Sequence, residues 1–248
     1  MDKILLVTGG AVGIGAAIAL QAAKAGFAIC VNYNSSKQAA ASLCERISAL
    51  GARVIAVKAD VSLERDVLQL FKEIDSQLGV VTHLVNNAGV IAPIKKFEAT
   101  TLDDLQRTFS VNVFGSFLCA REAVKRMCTL SGGKGGVIVN MPSVASRIGS
   151  PNEFIEYAAS KGAIDTFTLG LSKELANRGI RVNAVRPGLI DTEIHAHAGD
   201  AARPERLKSA IPMQRIGTAC EVAEAVMWLL SDSASYVTGT ILDVAGGR

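Results

Sequence analysis

Thr8-Gly9-Gly10-Ala11-Val12-Gly13-Ile14-Gly15 is the stretch on which the fold turns. Ahead of it, Ile4-Leu5-Leu6-Val7 is a short apolar run, the pattern of a strand buried on both faces. Behind it, Ala16 to Ala25 is rich in alanine and predicts a helix. Strand, glycine turn and helix in that order predict a dinucleotide site. Gly9, Gly13 and Gly15 permit a tight turn and a close approach of backbone to phosphate. Val12 and Ile14 stand between them, and the helix N-terminus offers free N–H groups and partial positive charge. The spacing is Gly9-x3-Gly13-x-Gly15 rather than G-x-G-x-x-G, and such loops also occur as plain turns.

Working outward, strand and helix patterns alternate. Ala28 to Tyr33 is a second strand, and Ser35 and Ser36 are candidate caps for a helix with an Ala39, Leu43, Ile47, Leu50 stripe. Arg53 to Val57 is a third strand, after which Ser62 is a candidate cap for a helix starting near Glu64. Val67, Leu70, Phe71, Ile74 and Leu78 mark the buried face of that helix. His83 to Val85 is a fourth strand, and Leu102 to Leu130 reads as a long helical region. Val137 to Met141 is a fifth strand, Phe154 to Asn177 a helix, and Arg181 to Val185 a sixth strand. A helix over Glu221–Leu230 and a strand over Thr240–Val244 complete the pattern. Alternation of this kind predicts an α/β chain with a parallel sheet covered on both faces. The expected form is a doubly wound Rossmann-type sheet of order 3-2-1-4-5-6-7. Residues 1–248 read as a single domain, with 189–213 as a lid over the substrate.

Composition narrows the classes. The net charge is only +3 and the basic residues are scattered, which argues against a nucleic-acid surface. No apolar run approaches membrane-spanning length. The five cysteines form no C-x-x-C pair, so reduced structural thiols and a cytoplasmic protein are expected. His195 and His197 lack a cysteine or acidic cluster at ligand spacing and read as lid-surface residues, so no metal site is expected.

Tyr157-Ala-Ala-Ser-Lys161 places a phenol and an ammonium on one helical face, roughly 5–6 Å apart at Cβ. A nearby cation favours the tyrosinate and moves the phenol toward the range where a general acid/base works. Ser143 follows strand five, on the ligand side of an open parallel sheet. Taken singly, each has a plainer reading: a chance surface pair, a loop serine and, for Asn112, a core amide.

Taken together, Thr8–Gly15, Asn86-Asn87-Ala88-Gly89, Asn112, Ser143, Tyr157-x-x-x-Lys161 and Pro187-Gly188 resemble the short-chain dehydrogenase/reductase family, in that family's order and over essentially the whole chain. The look is of the branch holding glucose dehydrogenase-like and oxoacyl-carrier-protein-reductase-like members. The resemblance implies hydride transfer between a nicotinamide dinucleotide and a small-molecule carbonyl or secondary alcohol. It implies Tyr157 as the acid/base, Lys161 lowering its pKa and holding the nicotinamide ribose, and Ser143 orienting the carbonyl. It implies that Asn112 opens its helix and holds a water in a proton relay. Asp60 and Val61 would meet the adenine, and Asn87, Ala88 and Gly89 the adenosine ribose. Pro187, Gly188, Ile190 and Thr192 would line the nicotinamide. A nicotinamide-binding sensor without turnover has no need of all four of Asn112, Ser143, Tyr157 and Lys161. A methyltransferase on the same fold leaves Tyr157, Lys161 and Asn87 unexplained.

The chain departs from the family pattern at Pro142, at Val12 where many members have arginine, at Ala245, and by one extra residue between Ser143 and Tyr157. The residue that selects NAD in such folds is acidic and ends strand two. Here that position is Tyr33, followed by Asn34, Ser35 and Ser36. No carboxylate repels a 2′-phosphate, so NADP is expected, with some NAD use. Apolar residues on more than one face of the helices around 102–130 and 154–177 would leave an exposed patch on a lone chain, and the resemblance, to a family whose members commonly pair these helices across two-fold axes, implies a homotetramer.

Overall fold

The computed structural model describes residues 3–193, 198–200 and 202–248. His195 and His197 lie outside that range. Seven parallel strands form one sheet in the order β3-β2-β1-β4-β5-β6-β7. They are β1 (Ile4–Val7), β2 (Ala28–Tyr33), β3 (Val54–Lys58), β4 (His83–Asn86), β5 (Gly136–Asn140), β6 (Ile180–Pro187) and β7 (Ile241–Val244). The expected order is the observed one.

Alternation along β1 explains the two layers. Leu5 and Val7 point to one side and Ile4 and Leu6 to the other, all buried. The first side packs on α1 (Gly13–Lys24) and α2 (Lys37–Ala49) through Ile18, Ala22, Leu43 and Ile47. The second packs on α3 (Glu64–Gln77) through Val67, Leu70, Phe71 and Ile74. The remaining helices are α4 (Leu102–Phe109), α5 (Gly115–Met127), α6 (Ala145–Ile148), α7 (Ile155–Leu175), α8 (Arg203–Leu207) and α9 (Ala219–Leu230). α9 joins the first layer through Val222, Val226 and Leu229, and α5 the second through Cys119, Ala123 and Met127. No helix among the described residues is long and apolar enough to cross a membrane. All five cysteines are free.

Several local expectations need correcting. The single helix over 102–130 is two helices joined by a π-helical turn, Ser110–Phe114, which contains Asn112. Helix α1 begins at Gly13 instead of Ala16, directly from the glycine loop. Leu50 lies beyond α2 and is exposed rather than part of its buried stripe. Ser62 does not cap α3; its hydroxyl is drawn to Asp60 Oδ1 at 2.6 Å, and Leu63 takes the N-cap place. Ser36 does occupy the N-cap of α2, yet its side chain makes no capping bond. Side-chain caps are found instead at Thr101 and Thr218, each in a full capping box.

Candidate active site

The carboxyl ends of the strands open onto one cavity of about 670 Å³, a size ordinary for a small-molecule or cofactor site. Its wall includes Gly9, Val12, Gly13 and Ile14 from the first loop, and Tyr33, Asn34, Ser35 and Ser36 after β2. Asp60, Val61, Asn87, Ala88 and Gly89 follow, then Ser143, Tyr157, Lys161, Pro187, Gly188, Ile190 and Thr192. Asn112 and Gly15 support this wall without forming it.

The glycine loop is held by neighbours that leave no room for side chains. Gly9 has φ +58°, and a Cβ there would lie 2.9 Å from Ala88 Cα. A Cβ on Gly15 would lie 2.6 Å from both Asn87 Nδ2 and Gly9 O. The role of Gly15 is therefore close packing beneath the loop. Asn87 Nδ2 donates to the carbonyls of Thr8 and Gly9, each at 3.0 Å, and Thr8 Oγ1 accepts from the Asn87 and Ala88 amides at 3.0 Å. Asn32, buried in β2, accepts from the Gly9 amide at 3.2 Å and donates to Ala59 O at 3.0 Å. No side chain caps α1, so the first-turn N–H groups face the cavity end of the loop unclaimed. A phosphate there has amide donors and a helix dipole to meet it, and the cradle fits a dinucleotide.

The π-helical turn fixes Asn112. Its Oδ1 accepts from Val90 N at 2.8 Å, and its Nδ2 donates to Val90 O and Ser160 Oγ, each at 3.0 Å. Its main-chain carbonyl, displaced from regular helix bonding, accepts from Ser116 Oγ at 2.9 Å. Such turns are frequent at functional sites.

Tyr157 and Lys161 stand one turn apart on α7. Burial pushes the Tyr157 phenol up, while the Ser143 hydrogen bond and the Arg203 charge pull it down. Lys161 Nζ lies 5.6 Å from the Tyr157 ring centroid and donates to Met141 O at 2.8 Å. Burial brings that ammonium down to about 8, partly offset by Asp165. The sequence expectation made Lys161 the group that lowers the phenol. In the structure the lysine is turned onto a carbonyl, and burial leaves the phenol above its ordinary range despite the opposing pull of Ser143 and Arg203. A Cβ on Gly89 would lie 3.3 Å from Lys161 Nζ and 3.4 Å from Asn112 Oδ1, so the glycine sits close against both side chains.

Two features escaped the sequence reading. A buried polar chain runs under the site: Asn86 Nδ2 to Asn140 Oδ1 at 2.9 Å, then Asn140 Nδ2 to Thr168 Oγ1 at 2.9 Å. An asparagine at the last position of two adjacent buried strands was its signal. The second is a set of charges at the substrate end, Arg203 and Arg248 on the cavity wall with Glu153 behind. Nothing local in the sequence ties those three together.

Fold and site together define an oxidoreductase, and the chain belongs to the short-chain dehydrogenase/reductase family, whose members act on CH–OH and C=O groups. A family model described as Enoyl-(Acyl carrier protein) reductase matches residues 9–248. The chain is 53% identical to an uncharacterized oxidoreductase, YgfF, of Escherichia coli (strain K12), over 99% of both chains. It is 36% identical to the 3-oxoacyl-[acyl-carrier-protein] reductase FabG of Staphylococcus epidermidis, over 100% of this chain and 99% of that one. Among solved structures, a short-chain type dehydrogenase/reductase from Mycobacterium marinum superposes with TM-score 0.93 at 31% identity, over 99% of this chain and 94% of that one. A Serratia marcescens short-chain dehydrogenase/reductase mutant gives TM-score 0.90 at 35% identity, over 99% of this chain and 97% of that one.

Proposed function

We propose that the protein reduces a small-molecule carbonyl, or oxidises the matching secondary alcohol, with NADP(H) and with Tyr157 as the general acid/base. The observation that carries this is a half-buried phenol, with Ser143 on the same wall, in a cavity that begins at an uncapped helix N-terminus. The nicotinamide dinucleotide supplies the hydride. Gly9, Val12, Gly13 and Ile14 would hold its pyrophosphate, and Pro187, Gly188, Ile190 and Thr192 its nicotinamide end. Asp60 and Val61 would face the adenine.

Ser143 holds the substrate oxygen beside the phenol. Tyr157 gives that oxygen its proton in reduction and takes it back in oxidation. Lys161, fixed by Met141 O, keeps a positive charge behind the phenol and a donor for the cofactor ribose. Asn112 sets the position of Val90 and, through Ser160, the turn of α7 that carries Tyr157. The absence of a carboxylate at Tyr33, and the free hydroxyls of Ser35 and Ser36, favour NADP over NAD. The described residues of the 189–213 stretch border the cavity through Leu189, Ile190, Thr192, Glu193 and Arg203, as a lid of this one domain would, and the free thiols accord with a cytoplasmic setting.

A homotetramer accounts for the apolar surface. Phe114 and Phe117 are 58% and 46% exposed, a large apolar area for a lone chain, and Phe117 stacks on Phe167 at 3.8 Å between α5 and α7. Light scattering should return four copies; a monomer at micromolar concentration refutes it. The reading as a whole is tested by NADPH fluorescence on binding, followed by turnover with a panel of diketones, sugars and ketosteroids. NADPH binding with turnover of at least one carbonyl supports it. A failure to bind either nicotinamide dinucleotide overturns it.

A further inference from the structure

The substrate end of the cavity carries an arrangement of charge that the acid/base chemistry does not use. Arg203, at the start of α8, has a side chain only 10% exposed. It donates through Nε and Nη2 to Glu153 Oε2 at 3.1 and 2.6 Å. Its guanidinium lies 5.0 Å from the centroid of the Phe154 ring, which in turn meets the Tyr157 ring edge-on at 6.5 Å. Glu153 falls in the loop that is one residue longer than the family's usual one, where Ser150 and Asn152 take positive φ. Burial works against ionisation of Glu153, but Arg203 and Arg206 outweigh it, so the carboxylate is committed to those partners.

Arg248 is different. It lines the same cavity and is half-buried. Its segment is pinned across from 211–213, with Met213 N donating to Gly246 O at 3.1 Å. Its guanidinium has no carboxylate within ion-pair distance among the described residues. Burial and the neighbouring Arg203 charge both work against its protonated form, with Glu153 offering partial relief. The acidic residues of the wall are elsewhere. Asp60 is engaged by Ser62 and Asn34, and Glu193 follows Thr192, which packs at Gly13.

A half-buried arginine with no ion-pair partner among the described residues, beside a second one on the wall of the same cavity, is suited to an anion. The planar guanidinium suits the two oxygens of a carboxylate or phosphate. We propose that the substrate carries an anionic group, a carboxylate or a phosphate monoester, and that Arg248, backed by Arg203, receives it while the carbonyl lies at Tyr157. The proposal rests on the reading of this cavity as the catalytic one. The 2′-phosphate of a cofactor does not account for it, since that group belongs at Ser35 and Ser36 and the arginines sit with the phenol.

The test is equilibrium dialysis of matched probes with the full-length protein, alone and saturated with NADP⁺, which cannot reduce them. The probes are the linear 2-, 3-, 4- and 5-oxo acids with their methyl esters, and dihydroxyacetone phosphate with dihydroxyacetone. At least one charged probe should bind about tenfold or more tighter than its neutral partner, the scale of one charge-assisted hydrogen-bonded pair. Acids, phosphate, or both will distinguish the two sources. Arg248→Gln, at a side chain with no hydrogen-bond or ion-pair partner among the described residues, should bring that probe to the affinity of its neutral partner. Equal binding of charged and neutral probes overturns the proposal, as does a preference that survives in Arg248→Gln. A charge preference that depends on Arg248, without NADPH turnover of any probe, upholds the anion site and counts against the placing of the probe's carbonyl at Tyr157.

Discussion

The two ends of the cavity are built from different materials. At the cofactor end the wall is mostly backbone: a glycine loop leaving β1, an uncapped helix start, and turns after β2 and β4, held by Asn32, Thr8 and Asn87. At the substrate end the wall is side chain: Phe154, Tyr157, Arg203 and Arg248, carried by α7, α8 and irregular segments. A backbone wall suits what all nicotinamide dinucleotides share, namely phosphates and riboses. A side-chain wall binds what differs between substrates. The first is fixed by the fold, and the second is set by a few residues that the fold tolerates in many forms.

Breaking one end at a time gives the largest effects. Tyr157→Phe removes the transferable proton and keeps the ring that packs on Phe154. Turnover should fall by about 10²–10⁴-fold, while NADPH affinity stays within about threefold of wild type. Gly15→Ala reverses the pattern. Its Cβ would press on Asn87 Nδ2 and Gly9 O, both 2.6 Å away, at a stability cost of about 1–3 kcal/mol and with NADPH affinity lost. Stopped-flow turnover, NADPH titration and urea melts of the two variants check the pair. If Tyr157→Phe loses cofactor binding as severely as turnover, the ends are not separable in this way.

Lys161 sits where the ends meet, and its burial sharpens the comparison. Its folded pKa, about 8, lies below the ordinary 10.5. The folded chain thus holds fewer protons than the unfolded chain between those values, and stability rises with pH there. The penalty is fully present below about pH 8 and relaxes toward pH 10.5. At about 1.4 kcal/mol per pH unit of separation, it is on the order of 3 kcal/mol. Lys161→Met should therefore be the more stable protein at pH 7 and lose most of that advantage by pH 10, and it should be inactive throughout. Urea denaturation at pH 7, 8.5 and 10 measures it. Parallel curves would show that the ammonium is not penalised by its site.

How much of this was legible in the sequence follows the same division. β1 and β2 occupy the residues that apolar runs assign them, because a parallel strand buried on both faces writes its burial into every residue. Asn112 was legible as a site residue through family resemblance alone. No local propensity announces a π-helical turn inside 102–130, since neither proline nor glycine marks its start. Glu153 and Arg203 lie 50 residues apart, and their ion pair is made by the folded path of two irregular segments. Ser62 shows competition that spacing does not report: a hydroxyl able to cap a helix found a carboxylate two residues before it.

A smaller effect is expected where the cofactor end does use side chains. Tyr33 ends β2 and lines the cavity, at the position where a carboxylate would exclude a 2′-phosphate. Tyr33→Asp should lower the ratio of NADPH to NADH efficiency by about tenfold or more, the scale of one charge-assisted hydrogen bond. Steady-state kinetics with both cofactors on one substrate decide it. A wild-type efficiency with NADH equal to that with NADPH would remove the premise.

The smallest effect separates a hydroxyl kept for the fold from one kept for a ligand. Thr218 caps α9 in a closed box, its Oγ1 accepting from Glu221 N at 3.2 Å while Glu221 Oε2 accepts from Thr218 N at 2.8 Å. Removing that hydroxyl strips a first-turn amide of its partner, and Thr218→Ala should lower stability by about 1 kcal/mol. Ser36 holds the same N-cap position on α2 and lines the cavity, yet its hydroxyl makes no bond to the helix. Ser36→Ala should therefore leave stability unchanged within about 0.3 kcal/mol, well under a normal cap loss. It should instead weaken NADPH several-fold and NADH hardly at all, because the hydroxyl is free to meet the 2′-phosphate. Urea melts and fluorescence titrations of the two variants check this. A stability loss at Ser36 equal to that at Thr218, with no change in NADPH affinity, would return Ser36 to the role of a plain cap.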